Sequence, residues 1–457
     1  MTHAPHRAIE HGARRRARNG SGAPPATGAE SRRWRSGRRP LVLVLLVAAF
    51  GMAFATLVPG IAAAEGERLV GTLQTNTSGP LEGVEVTVEA TGGAEVDTVE
   101  TDEDGRFAVD LPGAGQYTVT VDADGLPEGI TLGEAGASRT VTVDAGRSQP
   151  VNFGLVDENR ASGGGNVQAV QLFADGLRFG LVIAISAVGL SLIFGTTGLT
   201  NFAHGELVTA GAVIAWFINV QGGVPLIPAA LLAMVGGAIV GALNEFGLWR
   251  PLRRRGTGLV AALVVSIGLS LLLRYFYQIV FGGRSQAYAQ YQSQRARDYG
   301  VFTMTDRALA SIVISLVVLL LVAAMLQRTK IGKAMRAVAD NRDLAASSGI
   351  DVDRVILFVW MLGGSLAALG GVLLALSDQV QWDMGFRLLL LMFAGVTLGG
   401  LGTAYGALVG SVIVGVFVQM STLVIPSDVK YVGGLLLLIV ILVIRPQGIL
   451  GSRARIG

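Results

Sequence analysis

From about residue 168 onward the chain is written in long apolar runs with short polar breaks. Over about 66–155, short stretches alternate apolar and polar residues almost one by one. The first pattern predicts membrane helices, since about 20 consecutive apolar residues cross a bilayer. Spans are expected at roughly 170–194, 205–220, 225–248, 258–281, 309–327, 355–376, 387–400, 405–424 and 432–445. Two are short, and 387–400 ends in Gly399-Gly400-Leu401-Gly402, so the count is eight or nine. Short glycine-interrupted segments in transporters mark broken helices near a substrate site. The second pattern predicts strands at Val84–Ala90, Arg106–Val109 and Tyr117–Val121. Turn signals separate them at Gly92-Gly93, Asp104-Gly105, Pro112-Gly113 and Asp124-Gly125, with Asp104-Gly105 suited to a tight hairpin. The fold expected is mainly α: a polytopic helical membrane domain over 168–457, preceded by a small all-β sandwich over 66–155 and a Gly/Ser-rich linker at 156–167.

Composition supports the membrane assignment. Of 457 residues, 51% are hydrophobic and 15% charged, against about 25% charged in soluble chains. The absence of cysteine rules out disulfides, thiolate metal sites and cysteine nucleophiles. The net charge of +3 conceals balances of +8 over 1–40, −14 over 65–160 and +9 over 161–457. Residues 1–40 are Arg-, Gly-, Pro- and Ser-rich, and Leu41–Val58 is apolar and followed by Ala62-Ala63-Ala64. Segment 1–64 therefore reads as a basic leader with either a secretory signal cleaved after Ala64 or an uncleaved anchor. Ser31-Arg32-Arg33 hints at a twin-Arg signal. In both cases residue 65 onward starts outside the cell.

Lys and Arg in short loops set the orientation. Arg250–Arg255 holds four Arg and no acid, and 328–354 holds six basic residues, so both are expected in the cytoplasm together with the C-terminal tail. Loop 282–308 then lies outside although it carries four Arg. No basic patch interleaved with aromatics points to nucleic acid.

Two polar segments carry candidate chemistry. Asn201, His204, Gly205 and Glu206 lie between apolar runs. They are either a polar turn at the cytoplasmic surface or a broken segment offering polar groups to a pathway. His204-Gly205-Glu206 has metal-site residue types but lacks a second His at helical spacing, which argues against a metalloenzyme. Arg274 is expected to snorkel outward among Tyr275, Phe276 and Tyr277, and Glu245, next to Asn244, to pair with Arg250. The run Asp102-Glu103-Asp104 suits a solvated hairpin tip better than a calcium site. In the second segment, Gln327–Val355, apolar pairs Ala334/Val338 and Met335/Ala339 oppose Lys333 and Arg336. Asp343 is a plausible helix start and Gly349 a stop. An apolar face on so long a loop needs a partner, which an ATPase subunit would provide by helix-in-groove docking.

Several motifs in order resemble the branched-chain amino acid ABC transporter permeases: GLSLIFGTTGLTNFAHGE at 189–206, RPLRRRGTGLVAALVVSIGLSLLL at 250–273, RTKIGKAMRAVADNRDLAASSGID at 328–351, LGGLGTAYGALVGSVIVG at 398–415 and RPQGILG at 445–451. The third resembles the family's coupling loop, so Lys333, Arg336, Asp343, Ala345 and Gly349 are implied as ATPase contacts; Asp343-Leu344-Ala345 departs from the Glu-Ala-Ala of ABC importers generally. Asn201, His204, Gly205, Glu206, Gly399, Gly400 and Gly402 are implied along the substrate pathway. Residues 83–119 resemble carboxypeptidase-regulatory-like repeats, which implies a fold and no activity. No phosphate-binding Gly-x-x-x-x-Gly-Lys-Ser/Thr is present, so this chain has no nucleotide cofactor of its own and ATP is left to partners. The resemblance implies two ABC ATPases, a second permease subunit and an extracytoplasmic substrate-binding protein, in a bacterial cell membrane, with ATP-driven rocking of the helices about the 201–206 and 399–406 regions. A urea or short-chain amide permease is the near alternative, and a membrane-anchored adhesion or sensor protein using the β domain the distant one.

Overall fold

The computed structural model describes residues 67–449, apart from 76–78, 104, 124, 133–135, 144–147, 154, 158–164, 284, 292–295, 426–428 and 445–447. The expectations for the leader, the signal and most of the linker lie outside the described residues, as do those for Asp104, Asp124 and the tail arginines.

The N-terminal described region is all β. Strands β1 (Arg68–Thr72), β2 (Gln74–Thr75), β3 (Gly79–Pro80), β4 (Glu85–Ala90), β5 (Ala94–Glu100), β6 (Arg106–Asp110), β7 (Gly115–Val121), β8 (Ile130–Leu132), β9 (Ser138–Val143), β10 (Ser148–Asn152) and β11 (Leu155–Asp157) follow in order. A sheet ordered β5-β4-β7-β9 is antiparallel throughout, and a second ordered β10-β1-β6 has one parallel pair, β1 with β10. Alternation places one face of each strand inward: Phe107 and Val109 are buried in β6 while Arg106, Ala108 and Asp110 are exposed. Leu69, Val86, Val88, Tyr117, Val119, Val121 and Val151 complete the core. The tight hairpin joins β4 to β5 through Gly92 and Gly93, both at positive φ. The turn before Gly105 is not a hairpin as expected. It carries the chain from β5 in one sheet to β6 in the other, with Asp102 Oδ1 accepting from the Arg106 amide at 2.7 Å. The Tyr117 hydroxyl donates to the Gly113 carbonyl at 2.6 Å and pins the next corner.

The C-terminal region is helical: α1 (Gly165–Thr197), α2 (His204–Trp216, extended by a π-turn Phe217–Gln221), α3 (Leu226–Asn244, running through a π-turn Glu245–Trp249 into Arg250–Arg254), α4 (Leu259–Phe281), α5 (Asp306–Arg328), α6 (Lys330–Asp340), α7 (Arg342–Ser347), α8 (Val352–Asp378), α9 (Met384–Gly399), α10 (Ala404–Ser421) and α11 (Lys430–Ile444). Six of these, α1, α3, α4, α5, α8 and α10, are long and apolar enough to cross a membrane. The shorter apolar α9 and α11 and the 13-residue α2 fall on the other three segments read as possible spans, of which eight or nine were expected to cross. Helices α1 and α8 are mostly buried and form the centre, whereas α4 presents Val260 and Ile279 at 77% and 83% exposure, a lipid-facing surface.

Glycine sets the helix spacing. A Cβ on Gly180 of α1 would lie 2.7 Å from Val412 Cα of α10, and one on Gly189 would lie 2.9 Å from the Gly363 carbonyl of α8. Such close backbone approach is how helices gain contact area where lipid removes the hydrophobic driving force. The loops sort into two ends. At one, Arg342 meets Thr196, Arg250 meets Asp353, and the Ile449 amide donates to the Leu398 carbonyl. At the other, Gln286 bridges Val380, Trp216 donates to Ala287, and Arg178 meets Ser377. Loop 282–305 includes the short pair β12 (Arg297–Asp298) and β13 (Thr303–Met304), and it caps the C-terminal end of α2: Gln290 accepts from Asn219 and from the Leu226 amide at 3.1 and 2.8 Å, and Tyr288 donates to the Ala212 carbonyl at 3.2 Å.

Candidate functional site: two helix starts inside the bundle

Between α1 and α2 the chain turns back into the bundle. Gly198 takes positive φ, and His204, the first residue of α2, donates from Nε2 to the Ser186 carbonyl at 3.1 Å. Ser186 lies eleven residues before the end of α1, which is about 16 Å at helical rise. Segment 198–203 is therefore re-entrant, and α2 begins deep in the bundle. Asn201 shapes that return: its Oδ1 accepts from the Ala203 amide at 3.1 Å. Asn201, His204 and Glu206 are all buried to within 1%, which disposes of a turn at the surface.

Glu206 occupies the first turn of α2, where a carboxylate suits the helix dipole. Its Oε1 accepts from Ser270 Oγ at 3.0 Å and lies 3.5 Å from Arg274 Nε; its Oε2 has no hydrogen-bond partner among the described residues. The Tyr277 hydroxyl donates to the Glu206 carbonyl at 3.2 Å, and Ser266 Oγ accepts from the Phe202 amide at 3.1 Å. Arg274 thus faces inward and does not snorkel to the surface. Only 13% of its side chain is exposed, and its guanidinium lies 3.5 Å from the ring centre of Phe386, because a partner carboxylate and an aromatic face inside the bundle replace water. Ser266, Ser270, Arg274 and Tyr277 form one stripe of α4 at helical spacing. That polar stripe in an otherwise apolar helix is the signal in the sequence that identifies them.

Helix α9 also starts here. A Cβ on Gly205 would lie 2.5 Å from the Gly385 carbonyl, and the Gly385 amide donates to Thr209 Oγ1 at 3.1 Å. The starts of α2 and α9 therefore meet beside Glu206. The structure does not bring Gly399, Gly400 and Gly402 to this place. Gly400 and Gly402 take positive φ in the turn from α9 to α10, where Gly402 lies against Gly195 near the end of α1. Fourteen residues of α9, about 21 Å, separate Gly385 from Gly399.

The loop expected to contact a partner is two helices. Thr329 caps α6, its Oγ1 accepting from the Gly332 amide at 3.0 Å, and Asn341 caps α7, accepting from the Leu344 amide at 2.9 Å. Asn341, one residue from Asp340 and two from Asp343, is thus the cap that Asp343 was expected to be. Gly349 at positive φ ends α7. The apolar face is not left for a partner. Met335, Val338 and Ala345 are buried against the chain's own core, with α6 packed on α1, α5 and α8. Lys333, Arg336, Asp343 and Leu344 face outward, Leu344 at 64% exposure. Arg342 donates to the Thr196 carbonyl at 2.6 Å and so ties α7 to the last turn of α1. Nearby, Glu245 is buried and pairs with Arg253 rather than Arg250, while Arg250 and Arg254 share Asp353 at 2.7 and 2.9 Å. Through the π-turn Glu245–Trp249 the Arg250 amide donates to the Glu245 carbonyl, while the two side chains take other partners. Among the described residues no group of three or more His, Asp or Glu is placed to hold a metal ion.

A re-entrant helix start, a buried charge pair and tight glycine crossings are features of a polytopic helical membrane protein. Residues 172–444 match the family described as the permease component of branched-chain amino acid transport systems, and residues 68–156 match the carboxypeptidase regulatory-like domain. The chain belongs to that permease family. It is 29% identical over 296 residues to the high-affinity branched-chain amino acid transport permease LivH of Escherichia coli K12, covering 62% of this chain and 95% of the relative. It is 28% identical over 302 residues to BraD of Pseudomonas aeruginosa, with the same coverage, and 28% identical over 243 residues to the ribose import permease RbsC of Escherichia coli K12, covering 51% and 72%.

Proposed function

We propose that this chain is a transmembrane subunit of an ABC importer that carries branched-chain amino acids inward, using ATP hydrolysed by two partner ATPases. A second permease subunit would complete the pathway and an extracytoplasmic binding protein would deliver substrate. The observation that carries the coupling role is the tie between α7 and the last turn of α1. Lys333, Arg336, Asp343 and Leu344 would meet the ATPase, and Arg342 would pass its movement to the end of α1, from which segment 198–203 departs. The charge asymmetry puts 250–255 and 328–354 in the cytoplasm and the β domain outside, and the grouping of Arg253, Arg342 and Asp353 at one end of the bundle supports that orientation. In the substrate pathway, Asn201, His204 and Gly205 would hold the shape of the α2 start while Glu206 contacts substrate; Gly399, Gly400 and Gly402 would form a hinge under α1. Reversing charge at Lys333 and Arg336 together tests the coupling surface. Loss of ATPase co-purification with normal membrane insertion is expected, and a fully assembled, transporting double variant would refute it.

A further inference from the structure

We propose that the Glu206–Arg274 pair is an intramembrane binding station for the two charged ends of an α-amino acid, Glu206 taking the ammonium and Arg274 the carboxylate as the two side chains part. The assignment deepens the importer reading above and rests on it.

The pair is only half made. Charge-assisted contacts settle at about 2.7–2.9 Å, as Arg250–Asp353 does at 2.7 Å. Glu206 and Arg274 stand 3.5 Å apart, with Glu206 Oε2 and Arg274 Nε lacking hydrogen-bond partners among the described residues. A fully buried carboxylate oxygen without a partner is costly and calls for a use. Its place is where two helices begin inside the bundle, which is where transporter sites for anionic groups form.

Charge balance selects the ligand. Parting the pair leaves a buried anion and a buried cation, and only a molecule carrying both opposite charges restores both partners at once. A simple carboxylate would leave Glu206 unpaired, an amine would leave Arg274 unpaired, and a neutral sugar would satisfy neither. Asp383 at the head of α9 has its charge paired through Oδ2 with Arg387 at 2.8 Å, although its Oδ1 has no hydrogen-bond partner among the described residues. The Phe386 ring keeps the guanidinium in place while Glu206 leaves it. Phe202, whose amide bonds Ser266 one turn of α4 before Ser270, and Phe393, 5.0 Å from it, are both half-buried and offer an apolar surface for an aliphatic side chain.

The test separates a binding station from a structural ion pair. In the complete complex reconstituted with its binding protein, Glu206→Gln and Arg274→Met each leave one buried charge unpaired, whereas the double variant is neutral. A purely structural pair predicts that the double variant recovers. The binding station predicts that it assembles, hydrolyses ATP when loaded binding protein is added, and still transports leucine more slowly by about a hundredfold or more, because two charge-assisted contacts, each worth about tenfold or more, are lost. Wild-type uptake by the double variant overturns the proposal. Should that variant not assemble, Ser270→Cys in the cysteine-free chain decides: leucine delivered by the binding protein slows its modification by a thiosulfonate reagent, and an unchanged rate overturns the proposal. If the wild-type complex takes up no leucine with ATP, the importer reading itself has failed, which is a separate outcome.

Discussion

Adding one methyl group at Gly205 should loosen the place where α2 and α9 start. In Gly205→Ala the new carbon would sit 2.5 Å from the Gly385 carbonyl oxygen, 2.9 Å from its carbon and 3.1 Å from Leu389 Cβ, where ordinary contact begins at 3.4 Å. The obstacles are mainly backbone, so the two helices must part by about 0.9 Å, the gap between 2.5 and 3.4 Å. The 3.1 Å bond from the Gly385 amide to Thr209 would then stretch to about 4 Å and be lost. Overpacking costs about 1–3 kcal/mol and the lost bond about 1, giving roughly 2–4 kcal/mol. Gly268 is the control, because a Cβ there meets nothing within 4 Å. Gly268→Ala should be neutral, or stabilising by up to about 1 kcal/mol through helix propensity. The assay is thermal unfolding of the purified complex in detergent, paired with leucine uptake. A clear fall in both for Gly205→Ala and none for Gly268→Ala is expected. Equal behaviour of the two variants would refute the close crossing and with it the geometry of the site.

Arg342→Ala should leave assembly intact and uncouple ATP hydrolysis from uptake, with Arg342→Lys restoring part of it by reaching the Thr196 carbonyl; uptake per ATP measures this, and an unchanged ratio counts against the tie. A single Cys at position 333 should resist an impermeant thiol reagent in intact cells and react in inverted vesicles, whereas labelling from outside would reverse the topology. His204→Ala removes the bond to Ser186 and should destabilise the complex by about 1–3 kcal/mol; unchanged thermal stability would mean that this bond does not hold the re-entrant segment.

Runs of apolar residues reveal where helices lie because burial in lipid demands them, and the alternating strands were legible for the same kind of reason. Polar partners were harder to foresee. Arg274 follows three leucines and precedes three further residues with aromatic or polar rims, and nothing local shows that its partner lies 68 positions earlier. The inward turn of α2 was one of two readings the sequence left open, because Gly198–Ala203 fits a surface loop equally well until His204 is seen beside Ser186. The amphipathic α6 was legible as a helix, but the sequence could not say that α1, α5 and α8 of the same chain cover its apolar face. Asn341 as the cap of α7 was within reach, since Asn three residues before Leu344 is a common helix start.

The central claim is that this chain forms part of an ATP-driven pathway for branched-chain amino acids. Its most direct test is uptake of labelled leucine into proteoliposomes holding this chain with its partner permease, ATPases and binding protein. Accumulation that requires ATP hydrolysis, and that disappears when this chain carries the paired Lys333 and Arg336 charge reversals, is the predicted result. Uptake indifferent to those reversals, or ATP-driven accumulation of ribose in place of leucine, would contradict it.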